Sequence, residues 1–448
     1  MQLQRLLFLI LLVSSTSLLA QPGNRQFEAH LNQYEVNFKE LMAYRGINYF
    51  AGQVTVEKVF RAVREYSSGG YGDAVKEFAF LFYHHQDDTL HAWIVDHTGI
   101  AAHAHTRVTI DSLLNLENTL KFSMSIDKIV GTTDRAVRDL KASKKYRLKT
   151  PESIDLLSRI AFPQEITKSL AGRKYLLVMP AVNLSTIPFS MLKPWRESKG
   201  TLLDSMAFSF AHNFQQLFAE VDNLGNEAPE NMGLLKQPVV VGNPAFTDPC
   251  TTGLVQLEGA EEEAKQVSAL LGAEPLTGAA ATKGKIIYRM RSSSFIYLAT
   301  HGWSDTENPL RNSFIALNGR DTCGYLTPFE IQRMKLIHKP IVVLSACQSG
   351  LGKVMEAGIV GVARGFLKAG SRSVTISLWN VDDAETAELM TEFVKQMQKP
   401  TAFFPAEPWR QAVLAYRKRK KKDEPLNWAA FQTFGVPYAP VFSVALHR

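Results

Sequence analysis

The spacing of apolar positions indicates helices near the start of the chain. Between residues 24 and 70, apolar side chains recur at the three- and four-residue intervals of an amphipathic helix. Such positions include Leu31, Tyr34, Phe38 and Leu41. A Ser-Ser-Gly-Gly segment at 67–70 marks a break. We predict helical structure up to this break, and its role stays open.

The next segment, residues 76–110, has the pattern of a β-hairpin. Two strand-like apolar runs flank a polar turn at Gln86-Asp87-Asp88. We expect this hairpin to extend the sheet of the domain that follows it.

Beyond residue 150, short apolar runs alternate with amphipathic stretches. The runs, rich in β-branched residues, occupy 175–179, 238–241, 295–299, 340–346 and 373–378. The stretches predicted as helices include 260–272, 327–335 and 358–370. Near-continuous apolar strands separated by helices are typical of a mostly parallel sheet with helices on both faces. We predict an α/β fold whose functional residues lie beyond the carboxyl ends of the strands.

The first twenty residues have the features of an export signal. Arg5 precedes an apolar run from Leu6 to Val13, and the small residue Ala20 suits the last position before cleavage. The run is shorter than the ~20 apolar residues of a membrane span, and no later segment approaches that length. We expect a cleaved signal peptide and an exported protein, periplasmic or extracellular, with an uncleaved signal anchor as the alternative. The predicted organisation is a signal peptide at 1–20, an N-terminal helical and β-hairpin region at 21–149, and the α/β domain at 150–448.

Composition and charge narrow the classes of function. Hydrophobic residues make up 46% and charged residues 21% of the 448 residues, so extensive disorder is not expected. The formal net charge is +7, with a basic run at 417–422. This run either attracts an anionic partner or forms the solvated end of a helix, where cations are favourable. We favour the helix end and expect no specific nucleic-acid partner.

The three cysteines fall into two contexts. Cys250 and Cys323 lie in polar, turn-like segments and could pair, although nothing in the sequence fixes the distance between them. Cys347 instead follows the apolar run at 340–346.

Two reactive residues follow neighbouring strand-like runs. His301-Gly302 comes directly after FIYLAT, and Cys347 comes directly after IVVLSA, 46 residues later. Because strand ends in a parallel sheet face the same edge, the two side chains could meet in space. A thiolate is the nucleophile of a thiol peptidase, and an imidazole takes its proton and later protonates the leaving amine. The backbone N–H groups of Gly302 and Cys347 are the candidate oxyanion hole.

At this point the sequence resembles a known family. The segments YLLVMPAVNLSTIPFSML, VVVGNPAF, FIYLATHG, GYLTPFEI, VVLSACQSGLG and NWAAFQTFG follow one another as in the CHAT domain, a bacterial caspase-like domain related to separases. The family's catalytic histidine falls on His301 and its nucleophile on Cys347. The resemblance therefore implies a cysteine endopeptidase with an intact dyad. The segment FAHNFQQL at 210–217 departs from the family pattern, which puts a supporting loop in question but not the dyad.

The resemblance also suggests a substrate pocket. Asp383 corresponds to an acidic position near the first-site pocket of separase-like relatives, where it would pair with Arg or Lys, and Trp379 would supply an apolar wall. The other interpretation of Asp383 is a helix N-cap, which Asp382 would serve equally well. Ser345 is uncharged where basic-specific relatives often have an acid, so the preference that we favour, cleavage after a basic residue, depends on Asp383.

Six of the eleven histidines lie between residues 84 and 105. A metal site there lacks an acidic or Cys partner at a recognised ligand spacing, so we expect no metal and interpret these histidines as polar positions of the hairpin. The segment at 349–354 lacks the glycine spacing of a phosphate-binding loop, and we expect no cofactor.

Two functions remain open for the chain. One is a cysteine endopeptidase acting on protein or peptide substrates, with an unidentified activating partner. The other is a catalytically idle interaction or scaffold module of the cell envelope on the same fold.

Overall fold

The structure is a computed structural model. It describes residues 22–44, 53–68, 74–123, 150–198, 200–211, 213–223, 237–305, 308–320, 322–346, 353–355, 358–379, 383–399, 404, 406–420 and 424–436. The predicted signal peptide and Cys347 therefore lie outside the described residues.

The region before residue 150 contains helices and three strands. In chain order they are α1 (Pro22–Tyr44), α2 (Val56–Ser68), α3 (Ala74–Glu77), β1 (Phe78–Gln86), β2 (Thr89–Asp96), β3 (Gly99–Arg107) and α4 (Ile110–Ser123). The segment predicted as a hairpin thus forms three strands. A second turn at His97-Thr98 divides the second apolar run, and the Asp96 carboxylate accepts the Thr98 backbone N–H there at 2.8 Å.

The remaining elements alternate between helices and strands. The first part comprises α5 (Thr150–Ala161), α6 (Gln164–Leu170), β4 (Tyr175–Met179), α7 (Leu202–Ser205), β5 (Ala207–Phe210), α8 (Phe214–Asn223), β6 (Val239–Pro244), α9 (Glu258–Leu271), β7 (Pro275–Gly278), α10 (Lys283–Met290) and β8 (Phe295–Thr300). The second part comprises β9 (Gly302–Trp303), β10 (Phe314–Ala316), β11 (Tyr325–Leu326), α11 (Pro328–Ile331), β12 (Ile341–Ala346), β13 (Lys353–Met355), β14 (Gly358–Val360), α12 (Val362–Ala369), β15 (Ser373–Ser377), α13 (Asp383–Met397), α14 (Ala406–Arg419), α15 (Pro425–Trp428) and β16 (Phe431–Gly435).

An eleven-stranded sheet organises the molecule. Its strand order is β3-β2-β1-β4-β5-β16-β15-β12-β8-β6-β7. Among the described pairings of this sheet only β1–β2, β2–β3 and β15–β16 are antiparallel, so the predicted mostly parallel α/β sheet is confirmed. The three N-terminal strands join this sheet through the parallel β1–β4 pairing, as expected. Because β16 runs against β15, the parallel strands form two blocks of opposite direction.

Helix α1 covers one face of the N-terminal strands. Phe27, Leu31, Tyr34 and Phe38 are buried along it, at the intervals that the sequence predicted. The Phe27 ring lies 5.0 Å from that of Trp93 on β2, and the Tyr34 ring lies 5.4 Å from that of Phe82 on β1. Burial of this apolar stripe holds α1 on the sheet.

Histidines form a row on the face that α1 covers. In the strand register, His84 on β1 is opposite His91 on β2, and His91 is opposite His105 on β3. His30 on α1 approaches the row, with its Nδ1 2.7 Å from Nδ1 of His84. Burial, followed by repulsion from neighbouring imidazoles, lowers the pKa of His84 to about 3 and that of His91 to about 4. These two imidazoles are therefore uncharged at neutral pH.

Three of the four described residues of the basic run pair with carboxylates. Arg417 lies 2.6 Å from Asp204, and Lys420 lies 2.8 Å from Glu385 on α13. Arg419 contacts Glu388, also on α13, at 3.2 Å. The described part of the run is thus the last turn of α14 docked on α13, as the helix-end interpretation predicted. Within the described residues no helix has both the length and the apolar character to cross a membrane.

A glycine allows α9 to pack directly on β6. A Cβ atom at Gly242 would lie 2.4 Å from the Ala260 carbonyl oxygen and 2.4 Å from the Ala264 Cβ, both on α9. Neither neighbour is the flexible end of a side chain, so the helix would have to move away from the strand.

We predict that Gly242→Ala lowers the free energy of unfolding by about 1–3 kcal/mol, because overpacking displaces α9. The measurement is the urea midpoint of unfolding. Gly284→Ala on α10 is the matched control: its Cβ would meet nothing within 4 Å, and it should be neutral or slightly stabilising. Equal midpoints for the two variants would contradict the described contact between α9 and β6.

Candidate active site

Two adjacent strands of the sheet lead to the predicted dyad. Strands β8 and β12 are parallel, and their last residues, Thr300 and Ala346, are register partners. His301 follows the first strand directly, and Cys347 follows the second in sequence. The strand ends that precede the two predicted catalytic residues therefore lie side by side at one edge of the sheet.

His301 is held by contacts from three directions. Its Nε2 donates to the Val255 carbonyl at 2.8 Å, and its ring centroid lies 5.2 Å from that of Phe246. The Ala316 backbone N–H on β10 donates to the His301 carbonyl at 2.9 Å. Because a carbonyl only accepts hydrogen bonds, the contact with Val255 requires a proton on Nε2 of His301. Nδ1 is then the nitrogen available as a base.

A short three-stranded sheet supports this edge. Strand β9 begins at Gly302 and pairs with β10, which in turn pairs with β11. Stacked rings of Phe314 and Tyr325, 3.6 Å apart, join β10 to β11. The predicted oxyanion-hole amides belong to Gly302, at the start of β9, and to Cys347, outside the described residues. Their role stays a prediction.

A buried carboxylate ties two loops together next to His301. Asp248 is 1% exposed and accepts hydrogen bonds from the backbone N–H groups of Cys250, Thr251, Gly319 and Gly324, and from the Thr251 hydroxyl. Burial alone would raise the pKa of this carboxyl. The hydrogen bonds, led by that of Thr251, outweigh burial and hold the pKa at about 2.

A disulfide between Cys250 and Cys323 links the same two loops. The Cα atoms of the two residues are 5.2 Å apart. The structure thus resolves a question that the sequence left open. Val255, whose carbonyl accepts from His301, lies on the first of these loops. The disulfide and Asp248 together fix the loop that orients the imidazole.

An ion pair supports the end of the loop that contains Cys323. The Lys283 ammonium on α10 lies 2.7 Å from the Glu330 carboxylate and donates to the Tyr325 carbonyl at 2.6 Å. Glu330 in turn completes a capping box with Thr327 at the start of α11. These contacts fix the position of β11.

The residues predicted to form the substrate pocket lie near the start of α13. Trp379 is 1% exposed, and its Nε1 donates to the Leu426 carbonyl at 2.9 Å. Asp383 is the first residue of α13, and its side chain lies outside what the structure describes. The pocket roles of Asp383 and Trp379 stay predictions.

The sequence reasoning missed Asp248 and Val255. Asp248 has a recognisable local signal, since an Asp-Pro-Cys-Thr segment favours an Asx turn. Its second task, binding the amides of Gly319 and Gly324 some seventy residues later, has no local signal. Val255 acts through its carbonyl, so its side chain identity carries no information about this contact.

Comparisons with known proteins bear on the family and the fold of the chain. The sequence model of the CHAT domain matches residues 152–436. Tetratricopeptide repeat protein 28 of Homo sapiens is 27% identical over 301 residues, which cover 59% of this chain and 12% of that protein. The Mus musculus protein of the same name is 29% identical over 233 residues, or 44% and 9% of the two chains. The match thus spans only about a tenth of these relatives.

Solved structures share the fold. The separase–securin complex of Saccharomyces cerevisiae superposes with a TM-score of 0.50 at 11% identity, covering 86% of this chain and 31% of that chain. The Arg-specific cysteine proteinase gingipain R has a TM-score of 0.44 at 11% identity, covering 74% and 76%. At this level of identity the likeness to separase establishes the caspase-like fold alone.

We predict that Asp248→Asn destabilises the protein by about 3 kcal/mol or more, because the amide group places a donor among buried donors. The measurement is the urea midpoint at pH 7. Asp155→Asn, which removes an exposed ion pair with Arg159 on α5, is the control and should cost less than ~1 kcal/mol.

The pH dependence tests the same carboxylate. Its pKa is lowered in the folded state, so its stabilisation is complete above about pH 4 and is lost as the pH falls towards 2. The difference in stability between the wild type and Asp248→Asn should shrink over this range. A difference that stays constant would contradict the assignment.

Proposed function

Because this chain belongs to the CHAT domain family, we propose that it is a cysteine endopeptidase with His301 and Cys347 as its catalytic dyad. The observation that carries the proposal is the register of β8 and β12, whose terminal residues Thr300 and Ala346 are partners. A histidine and a cysteine that directly follow paired strand ends in the sequence can come within the hydrogen-bond reach that a thiol nucleophile and its base need.

The first half of the reaction forms an acyl-enzyme. Nδ1 of His301 takes the proton of the Cys347 thiol, and the thiolate attacks the carbonyl carbon of the scissile peptide bond. The negative charge moves to the carbonyl oxygen, which the backbone N–H groups of Gly302 and Cys347 stabilise. The C–N bond then breaks, and His301 returns the proton to the leaving amine.

The second half releases the acid product. A water molecule gives its proton to Nδ1 of His301 and attacks the thioester carbonyl. The C–S bond breaks, and the Cys347 sulfur recovers its proton. Throughout the cycle the Val255 carbonyl keeps the other proton on Nε2, so the ring presents the same nitrogen to the substrate.

Substrate preference and location complete the proposal. The acidic side chain of Asp383 would pair with an Arg or Lys side chain before the scissile bond.

Export to the periplasm or the extracellular space is supported by the Cys250–Cys323 disulfide, since such bonds persist in oxidising compartments.

A second candidate is a catalytically idle protein-interaction module. The curated relatives are named for tetratricopeptide repeats and not for a peptidase, which favours this alternative. The separase match comes from a complex with another protein, securin. A thiol probe distinguishes the candidates, because an idle module needs no activated thiol.

We predict that the purified protein cleaves members of a peptide library, that Cys347→Ala abolishes cleavage, and that His301→Gln lowers kcat/KM by about 10²–10⁴-fold. The control is His338→Gln, since His338 precedes β12 at its opposite, amino end. Reductant should be limited so that the Cys250–Cys323 disulfide persists, as checked by alkylation and mass spectrometry.

Three outcomes are decisive for the dyad. Cleavage that survives Cys347→Ala would overturn it, as would equal losses in His301→Gln and His338→Gln. The absence of both peptide cleavage and reaction of Cys347 with a thiol-directed inhibitor would favour the interaction module.

We predict that Asp383→Asn lowers cleavage after Arg or Lys by about 10–100-fold and leaves cleavage after other residues unchanged, because a charge-assisted hydrogen bond is lost. Asp382→Asn is the matched control, since either residue suits the helix cap. Equal effects of the two substitutions, or a loss that is uniform over all peptides, would assign Asp383 to capping α13.

A further inference from the structure

Three histidines of the row on β1–β3 lie close together where the row is partly exposed to solvent. They are His91, His103 and His105. His103 and His105 are two residues apart on β3, so they share a face, and His91 is the cross-strand partner of His105. The ring centroids are 5.6 Å apart for His91 and His103, 5.9 Å for His91 and His105, and 6.2 Å for His103 and His105. The three imidazoles thus form a nearly equilateral triangle.

These separations are close to those of a metal site. With metal–nitrogen distances of about 2.0–2.1 Å and tetrahedral angles, ligand nitrogens lie about 3.3 Å apart and ring centroids about 5.2 Å apart. Nδ1 of His91 and Nε2 of His103 are 3.3 Å apart. The other two pairs need to close by less than about 1 Å.

We propose that His91, His103 and His105 bind one divalent transition-metal ion of the Zn²⁺ class, with a solvent molecule as the fourth ligand. In the part of the chain that the structure describes, no three ligand residues already form a metal-binding group. His105 is exposed, so its side chain can turn to complete the triangle without moving the backbone.

The surroundings hold the other two ligands in place. The Trp93 ring, buried on β2, stacks on His103 at 3.6 Å and fixes the plane of that imidazole. The His30 ring lies 4.2 Å from the ring of His91 and restricts it from the side of α1. Locked rotamers of this kind preorganise a site.

The donor set determines the class of metal. Three neutral imidazoles suit Zn²⁺, Ni²⁺ and Cu²⁺, whereas Mg²⁺ and Ca²⁺ require oxygen ligands. From the sequence we expected no metal among the histidines at 84–105, because no acidic or Cys partner lies at a recognised ligand spacing. His91 is also more than ten residues from His103. The strand register, and not the sequence spacing, brings the ligands together.

The test is a titration of the full-length, tag-free protein, stripped of metal with a chelator, with Zn²⁺ by calorimetry. Co²⁺ serves as a spectroscopic probe of tetrahedral coordination. We expect one ion per chain. His103→Asn and His105→Asn should each weaken binding by at least about 10–100-fold, the loss known for outer-shell partners, and the double variant should bind none. His338→Asn is the control histidine outside the site.

The outcomes separate the site from adventitious binding. Stoichiometric binding that is lost in the double variant, and kept in His338→Asn, supports the proposal, provided that circular dichroism shows both variants folded. Binding that the double variant retains overturns it, as does weak binding of several ions or no binding. The titrations are made in the Cys347→Ala background, because a thiolate and an imidazole in the proposed dyad are themselves zinc ligands. The result is then independent of the peptidase assays.

Discussion

The parallel pairing of β8 with β12 is the constraint on which the candidate site depends. A slip of one residue would turn the side chains of the slipped strand to the other face and separate the strand ends. Six consecutive register pairs, from Phe295 with Ile341 to Thr300 with Ala346, prevent such a slip. All six side chains of β8, and those of residues 341–344 on β12, are buried, so core packing also fixes this register. The position of His301 thus follows from hydrophobic burial before any polar contact is made.

Polar and covalent contacts then fix the loop that orients His301. The loop that carries Val255 has few apolar anchors, and an isolated loop of this kind would sample many conformations. Asp248 and the Cys250–Cys323 disulfide fix it against the segment around Gly319. Rigid support of this kind keeps a histidine in a single tautomer and orientation. The sheet therefore sets where the imidazole lies, and the loops set which nitrogen it offers.

The sequence predicted the interior strands well because their apolar runs are continuous. The run predicted at 295–299 is β8, and the run at 340–346 is β12 within one residue. Prediction was poorer where a strand alternates small and polar residues, so β3 was merged with β2 and the turn at His97-Thr98 was missed. The helix predicted over 358–370 begins only at Val362, after the short strand β14. The role of Asp248 in joining two loops could not be found from the sequence, because Gly319 and Gly324 are close to it in space and distant along the chain.

The place of β16 in the sheet has a consequence for how the chain is made. This strand lies between β5 and β15, where it joins the two blocks of parallel strands, yet it follows every other described strand in the sequence. During synthesis the two blocks would form separately and expose unpaired edges towards each other until residues 431–435 arrive. The sheet is therefore complete only when residues 431–435 have been inserted. A chain that stops shortly before this strand would leave two half-sheets with unpaired edges, and these would be substrates for chaperones and not a trimmed version of the fold.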